Sequence, residues 1–447
     1  MNVTEILQFA DQLVFAQKGK HLDDLQKTVI TGVYEGKTYD TIAEECHRSE
    51  SRVRSAGRRL WKILSESLGE DINKHNFCWT IERIADNKFV SVGNNNINYC
   101  PNHSQKSSDK PEDNITNKIY HDLTLAPQII NFCNRETELQ TISKWILNQN
   151  IRLISVLGLS GIGKTALVRT FVDLNLEQFE VIIWKSLKFP LSLDLSISDL
   201  LNTCQKEAKE TLQANLKQLF DIFTQKRCLI ILDDVQNLFS SGDFAGKYQE
   251  EYQDYQKFFT MISEIQHQSN LILISREQCP EMESLNEDLY PIKCLELSGL
   301  DDINILNNMG LNNQNTWLYL INLYEGNLMY LKTIATLINK NYDGQVSEFL
   351  AEKTLHITPK MQSYFRELFN HLSPTEQMIV LQLSKCNQAI SREDLRQSLS
   401  LNSVDFNNGL QSLQQRYFVT KIKQDQVMFK LSPVFREYVR NCHKNSC

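Results

Sequence analysis

Residues 158–165, GLSGIGKT, have the residue types and the spacing of a phosphate-binding loop. Three glycines within six residues let the backbone bend, so that several N–H groups can converge on phosphate oxygens. The lysine would reach the β- and γ-phosphates, and the threonine hydroxyl would ligate Mg²⁺. The predicted nucleotide contacts of this stretch and of the residue after it are Gly158, Gly161, Ile162, Gly163, Lys164, Thr165 and Ala166.

Two aspartates provide the carboxylate that such a loop needs. The run CLIILDDVQ reads as a buried strand that ends in Asp233 and Asp234, about 70 residues after the loop. Asp233 is the expected Mg²⁺ ligand, together with Thr165 and acting through bound water. Asp234 is placed to orient or deprotonate an attacking water.

A third candidate is Arg276, which directly follows the apolar run LILIS. Its guanidinium could lie against the γ-phosphate and sense its presence. The alternative is an arginine that caps a strand at the surface. The position alone leaves both interpretations open.

Four apolar runs supply the elements that would position these residues. They are LISVL (153–157), EVIIW (180–184), CLIIL (228–232) and LILIS (271–275). Helical patterns separate them, which predicts an α/β domain with a parallel sheet and helices on both faces. Beyond residue 300 the pattern is helical until a hairpin-like stretch at 417–432.

Composition narrows the class of protein. The chain has 447 residues and a net charge of −7, so any nucleic-acid or acidic-membrane contact must be local. Its 11 cysteines form no CxxC pair, which favours reduced thiols over a metal site. The first residues lack the basic and apolar regions of a secretory signal, and no apolar run is long enough to cross a bilayer. The expectation is a cytoplasmic protein without membrane contact.

The N-terminal region predicts a helix-turn-helix. Thr38 would cap one helix, and a second helix would begin at about Ser51 with its apolar residues facing inward. The exposed cationic candidates for DNA or partner contact are Arg52, Arg54, Arg58 and Arg59. Residues 37–65 contain seven basic and four acidic residues, so the positive charge of this region is modest. Three interpretations of the cationic helix remain: DNA binding, a protein adaptor, or a solvated charged face.

Taken together, these motifs resemble the STAND class of P-loop NTPases, and within it the NB-ARC type. INFCNRETELQTI at 130–142 resembles the segment that lines the adenine pocket, with Asn134 in place of the usual glycine before Arg135. YEGNLMYLKTIATLI at 324–338 resembles the Gly-x-Pro segment, with Leu328 in place of the proline that packs on the base. The N-terminal unit resembles the helix-turn-helix of vWA–MoxR-associated proteins.

Two departures from the family bear on switching. The Met-His-Asp motif, whose histidine touches bound ADP in the family, aligns with Leu431, Ser432 and Pro433. The ADP-locked state would then be held less firmly. Family members usually end in a repeat domain that senses a ligand, whereas this sequence stops at Cys447. Sensing would then reside in a partner or in the N-terminal domain.

The resemblance implies five segments: a helix-turn-helix domain (1–90), a linker (91–120), the P-loop domain (121–290), a helical subdomain (291–358) and a winged-helix subdomain (359–447). It implies an ATP/ADP-operated signalling switch that binds Mg²⁺. ATP would open it, permit homo-oligomer assembly and release the N-terminal domain for a protein partner. Hydrolysis should be slow, since no glutamate base stands beside Asp233. The alternatives are an ATP-gated transcription regulator and a metabolic ATPase or kinase.

Overall fold

The computed structural model describes residues 20–68 and 120–442, apart from 35–36, 130, 131, 133 and 424–426, with a few isolated positions before residue 78. The chain divides into two compact units, Met1–Glu112 and Asp113–Cys447. That division falls within the stretch predicted as a linker, most of which lies outside the described residues.

The first unit contains three described helices, α1 (Asp24–Tyr34), α2 (Tyr39–Glu45) and α3 (Glu50–Leu68). The Thr38 hydroxyl accepts a hydrogen bond from the Thr41 N–H, which confirms the predicted cap. The predicted inward-facing residues Val53, Leu60 and Leu64 are fully buried. The helix-turn-helix therefore forms around the apolar face that the sequence marks.

The second unit is built on a six-stranded sheet in which every described pairing is parallel. The strand order is β1-β3-β4-β5-β2-β6. The strands are β1 (Tyr120–Asp122), β2 (Leu153–Leu157), β3 (Val181–Ser186), β4 (Cys228–Asp233), β5 (Asn270–Ile274) and β6 (Ile292–Glu296). The four predicted strands are confirmed, and the structure adds one strand at each edge.

Helices cover both faces of this sheet, as predicted. One face packs against α4 (Glu136–Ser143) and α5 (Lys164–Leu174). The other packs against α6 (Leu193–Thr203), α7 (Leu212–Gln225) and α8 (Asp254–Glu264). A short helix, α9 (Glu281–Ser284), leads into β6. Both faces of the four central strands are thus buried, which explains their continuous apolar runs.

The remainder of this unit is mainly helical and has its own core. It comprises α10 (Trp317–Leu323), α11 (Leu328–Asn341), α12 (Val346–Ala351), α13 (Pro359–His371), α14 (Pro374–Lys385), α15 (Arg392–Gln397), α16 (Ser403–Gln415) and α17 (Pro433–Cys442). An antiparallel sheet, β7 (Ile390–Ser391), β8 (Val419–Lys423) and β9 (Val427–Leu431), has the order β7-β9-β8. The winged-helix assignment of this part stays a prediction.

Two details bear on the predicted boundaries. β6 pairs with β2 across Leu153–Leu157, so the parallel sheet extends past the boundary placed at residue 290. β6 was missed because it is a half-exposed edge strand without an apolar run. Ser373 and Glu376 form a capping box at the start of α14, which fixes where this helix begins.

Two glycines allow a close backbone crossing just after β6. The Leu300 N–H donates to the Gly326 carbonyl at 3.1 Å. A Cβ atom at Gly299 would lie 1.8 Å from the Glu325 carbonyl oxygen, and one at Gly326 would lie 2.1 Å from the Leu300 carbonyl oxygen. Only glycine fits at either position, so the chain leaving the sheet is held directly against the turn that precedes α11.

Over the part of the chain that the structure describes, no helix is long and apolar enough to cross a membrane.

Candidate phosphate-binding site

The glycine-rich stretch forms a loop between β2 and α5, as the sequence predicts. Gly158, Gly161 and Gly163 have φ values of +135°, +78° and +110°, a region that favours glycine. A Cβ atom at Gly158 would lie 2.7 Å from the Leu297 carbonyl oxygen, whereas one at Gly163 would meet nothing within 4 Å. Gly163 is the N-cap of α5, so open space lies where the helix presents its free N–H groups.

Lys164 is the cation of the loop, and its surroundings change its pKa. Its Nζ donates to the carbonyl oxygens of Gly158 at 2.8 Å and Leu159 at 3.0 Å. Burial lowers the pKa of the amine to about 8, although the nearby Asp233 carboxylate opposes the shift. The ammonium is held inside the loop, where an incoming phosphate could replace its carbonyl partners.

Asp233 and Thr165 form a pair of oxygen ligands. The Thr165 hydroxyl donates to Asp233 Oδ1 at 3.3 Å. Burial, and then the like charge of Asp234, raise the pKa of Asp233 to about 6. Two hard oxygen atoms at this separation suit neighbouring positions around Mg²⁺, whose ligands lie at ~2.1 Å. Thr165 and Asp233 are therefore the residues that would hold the ion, and their role as Mg²⁺ ligands stays a prediction.

Two hydrogen bonds through the Gln236 side chain connect Asp234 to the backbone of Arg276. Asp234 lies in the left-handed region with φ +64°, and its Oδ1 accepts a hydrogen bond from Gln236 Nε2 at 3.1 Å. Gln236 Oε1 in turn accepts a hydrogen bond from the backbone N–H of Arg276 at 3.3 Å. The two predicted residues therefore share one bridging amide, which the sequence analysis did not identify.

These groups open onto a cleft of about 1300 Å³. Its lining includes Gly161, Gly163, Lys164, Thr165, Ala166, Asp233, Asp234, Arg276 and Leu328, all predicted from the sequence. Four other predicted contacts do not line it: Asn134, Arg135, Gly158 and Ile162. The cleft thus brings together most of the predicted residues, with Leu328 at the position that resembles the base-packing proline.

Arg135 lies behind the loop and supports it, whereas its neighbour Asn134 contacts a residue outside the loop. The Arg135 guanidinium is buried, and its Nη2 donates to the carbonyl oxygens of Ile162 at 3.2 Å and Ser298 at 2.6 Å. Asn134 has φ +51°, a conformation that asparagine tolerates better than other non-glycine residues. Its amide donates to Asp302. The backbone at Asn134 thus adopts a left-handed conformation, which a glycine at this position would also adopt readily.

Asn327 is a supporting residue that the sequence analysis missed. Its Oδ1 accepts from the Met329 N–H at 3.0 Å, which caps α11, and its Nδ2 donates to the Ser160 carbonyl at 2.9 Å. The side chain is fully buried. An asparagine directly before a helical pattern is a recognisable cap signal, but its second partner in the loop is not visible in the sequence.

A buried charge cluster lies at the junction between the sheet and the C-terminal helices. Glu277 follows Arg276 and faces Arg416 at 3.6 Å, and Arg416 lies 3.4 Å from Glu376. Glu277 also accepts from the Gly246 N–H at 2.7 Å, and Arg416 donates to the Asp243 carbonyl at 2.8 Å. Burial raises the pKa of Glu277, against the attraction of Arg416.

A second buried carboxylate, that of Glu325, connects the turn before α11 to the start of α17. Its Oε2 accepts from the Ser432 hydroxyl at 2.7 Å and from the Val434 N–H at 3.2 Å, at the start of α17. Burial raises the pKa of this carboxyl group. Ser432, the residue aligned with the family's histidine, is therefore bonded to a buried glutamate.

In the N-terminal unit, the four predicted arginines are exposed on α3. Arg54 forms an ion pair with Glu50 and lies over the Tyr39 ring at 5.6 Å. Arg52, Arg58 and Arg59 make no ion pair with any described residue. The cationic face exists as predicted.

Comparison with known families agrees with this geometry. Residues 135–248 match the NB-ARC domain family. The chain carries an NB-ARC domain. Residues 1–84 match the vWA-MoxR associated protein N-terminal HTH family. Both resemblances drawn from the sequence, to the NB-ARC type and to the helix-turn-helix of vWA–MoxR-associated proteins, are confirmed.

One curated relative is an uncharacterized WD repeat-containing protein of Nostoc sp. (strain PCC 7120), 30% identical over 338 residues. The alignment covers 71% of this chain and spans 27% of the relative's length. Among solved structures, the Walker-type ATPase of Pyrococcus abyssi aligns with a TM-score of 0.51 at 14% identity, over 69% of this chain and 96% of that one. It shares the fold. A STAND protein with a tetratricopeptide repeat sensor from Pyrococcus horikoshii aligns with a TM-score of 0.35 at 17% identity, over 71% of this chain and 43% of that one.

Proposed function

We propose that the chain is an ATP/ADP-operated signalling switch. The P-loop would hold the phosphates through its N–H groups and Lys164, while Thr165 and Asp233 would hold Mg²⁺. Leu328 would pack against adenine. The single observation that carries the proposal is the cleft, where these groups meet α11 of the C-terminal part.

The contacts around the cleft support a coupling of nucleotide state to conformation. Arg276, the proposed γ-phosphate sensor, is followed directly by Glu277, which faces Arg416 across the junction. The Arg276 guanidinium itself lies 3.9 Å from the carboxylate of Glu367 on α13. A γ-phosphate that attracts Arg276 would therefore pull on two contacts that join the sheet to the C-terminal helices. A nucleotide can shift the two states only by its differential affinity for them.

The bound nucleotide would determine whether the chain is closed or open, and whether it assembles into homo-oligomers. ADP would favour the closed arrangement, and ATP would favour an open one that forms homo-oligomers and frees the N-terminal domain for a protein partner. Hydrolysis would be slow, because no glutamate base stands beside Asp233, and Asp234, the residue proposed to orient the attacking water, already accepts a hydrogen bond from Gln236 Nε2 at 3.1 Å.

The test begins with the nucleotide carried by the purified full chain. We expect bound adenine nucleotide by mass spectrometry, and a larger particle mass with a non-hydrolysable ATP analogue than with ADP. Lys164→Ala should weaken nucleotide binding at least tenfold in calorimetry. Lys217→Ala, an exposed lysine on α7, is the matched control. Equal affinity of Lys164→Ala and the parent would contradict the proposal.

The exposed arginines of α3 favour a second candidate, an ATP-gated transcription regulator. Its test is duplex DNA binding that weakens with salt and is lost when Arg58 and Arg59 become alanine. Capture of a protein partner without any DNA binding would instead favour the adaptor role.

A further inference from the structure

A row of lysines lies on the wall of the cleft away from the P-loop. Lys332 and Lys340 project from α11, and Lys360 lies in the first turn of α13. All three side chains are exposed and line the same cleft as Lys164. The proposed function assigns no role to them. We refer to these three residues as the lysine wall.

The lysine wall has no acidic counterpart within the protein. Among the described residues, none of its three ammonium groups forms an ion pair. Other lysines of this unit do so: Lys185, Lys247, Lys257 and Lys293. The acidic residues that line the cleft are Asp233 and Asp234, beside the P-loop. The wall therefore presents uncompensated positive charge to whatever enters the cleft.

The helix geometry sets where this charge lies. α11 starts at the P-loop, because Asn327 bonds the Ser160 carbonyl directly before Leu328. With a rise of 1.5 Å per residue, Lys332 lies ~6 Å and Lys340 ~18 Å further along the helix axis than Leu328. Residues four apart share a helix face, so Lys332 lies one turn after Leu328 on the side that lines the cleft.

The size of the cleft also exceeds that of a single small-ligand site. At about 1300 Å³ it is larger than the ~300–1000 Å³ that such sites usually occupy. A mononucleotide fixed by its phosphates at the P-loop and by its base at Leu328 would leave the region beside the lysine wall to a further group.

We propose that the lysine wall binds a second phosphate group, carried on the ribose of the nucleotide that the P-loop holds. The ligand class is a nucleotide phosphorylated at the 5′ position and again at the 2′ or 3′ position. This inference rests on the proposed function, because the P-loop must anchor the 5′ phosphates. Linkage through the ribose raises the effective concentration of the second phosphate at the wall.

The experiment compares two ligands with the same 5′ end by calorimetry on the full chain with Mg²⁺: ADP and adenosine 5′-diphosphate 3′-diphosphate. We expect the second to bind about tenfold more tightly, since three exposed charge contacts each contribute modestly. The advantage should shrink between about 50 and 300 mM salt. Lys332→Gln, Lys340→Gln and Lys360→Gln together should remove the advantage and leave ADP affinity within about twofold.

Controls separate the possible outcomes. Lys217→Gln should retain the advantage. Equal affinity for the two ligands, or an equal loss for both in the triple variant, would overturn the inference while leaving ADP binding intact. Pyrophosphate added to the ADP-bound protein should give little heat; strong binding that the triple variant loses would assign the wall to free anions and contradict the ribose-linked ligand. Absence of ADP binding would refute the proposed function itself.

Discussion

The cleft and the junction behind it both hold buried charges, but they differ in how these charges are compensated. In the cleft, Lys164 and Asp233 are displaced toward their neutral forms, with pKa values of about 8 and about 6. Beside them lies a space of about 1300 Å³. At the junction, Arg416 lies 3.6 Å from Glu277 and 3.4 Å from Glu376, and the cavity that Arg416 and Glu277 line has a volume of only about 20 Å³.

The partners of a buried charge therefore indicate its role. A charge without an oppositely charged partner beside an open space suits a ligand, whereas a charge paired within the protein joins parts of the fold. A phosphate and a magnesium ion would supply the missing partners of Lys164 and Asp233, and would favour the ionised form of each. Arg416 already has its partners inside the protein. The expected consequences of mutation therefore have opposite signs in the two regions.

The largest effect is expected at the junction. Arg416→Ala would leave two glutamates buried without their cation, which costs about 3–5 kcal/mol in comparable cases. The measurement is the unfolding transition in urea, with Lys385→Ala, an exposed lysine at the end of α14, as the control. A loss below about 1 kcal/mol would show that the cluster is not the compensated junction described above.

A stabilising effect is expected in the cleft. Asp233→Asn removes a carboxylate whose pKa burial has raised to about 6, so the nucleotide-free protein should gain about 1–3 kcal/mol at pH 7 to 8. The same variant should lose Mg²⁺-dependent nucleotide binding. Thermal unfolding with and without Mg²⁺ and ADP measures both effects; a destabilised free variant would refute the comparison.

The pH dependence follows from the same carboxyl group. Its folded pKa of about 6 exceeds the ordinary value near 4, so the folded state binds the proton more tightly. The contribution of Asp233 to the free energy of unfolding should fall as pH rises from about 4 to about 6, and Asp233→Asn should lack this slope. Mg²⁺-nucleotide affinity should decline below about pH 6, because a proton then competes with the metal.

A smaller effect is expected at Ser432. Ser432→Ala removes one hydrogen bond to the buried Glu325 while the Val434 N–H remains, and should cost about 1 kcal/mol. Thr420→Ala, on an exposed face of β8, should cost less than half of that. Equal losses from the two variants would show that the Glu325 contact adds nothing to the C-terminal part.

The smallest effect is expected at the edge of the junction. Glu367 is 73% exposed and lies 3.9 Å from Arg276. Glu367→Gln should change stability by less than about 0.5 kcal/mol, since exposed ion pairs contribute little. A loss as large as that of Arg416→Ala would mean that the surface pair, and not the buried cluster, joins the two parts.

Much of the cleft could be predicted because its chemistry is local in sequence. The loop from Gly158 to Thr165 and the strand ending at Asp233 are contiguous, and the buried strands that hold them have distinctive apolar runs. β1 and β6 lack this signal: β1 has three residues, YHD, and β6 is a partly exposed edge strand. Edge strands gain order from their neighbour's hydrogen bonds, which sequence composition does not reveal.

The junction could not be predicted because its contacts are distant in sequence. Glu277 follows a predicted residue, yet its cation is Arg416, and no pattern links the two. Arg135 shows the opposite case: the motif predicts its importance, but in the structure its guanidinium donates to two backbone carbonyls behind the loop and to the Glu138 carboxylate. Motifs identify residue types and spacing, whereas partners depend on the tertiary fold.

The glycine crossing after β6 has an evolutionary consequence. Side chains are sterically excluded at Gly299 and Gly326 by main-chain atoms, which cannot move aside as a flexible side chain can. Gly163, by contrast, faces empty space. In homologous sequences, positions 299 and 326 should then hold glycine because no side chain fits, whereas position 163 should hold glycine because of its backbone conformation, with φ +110°.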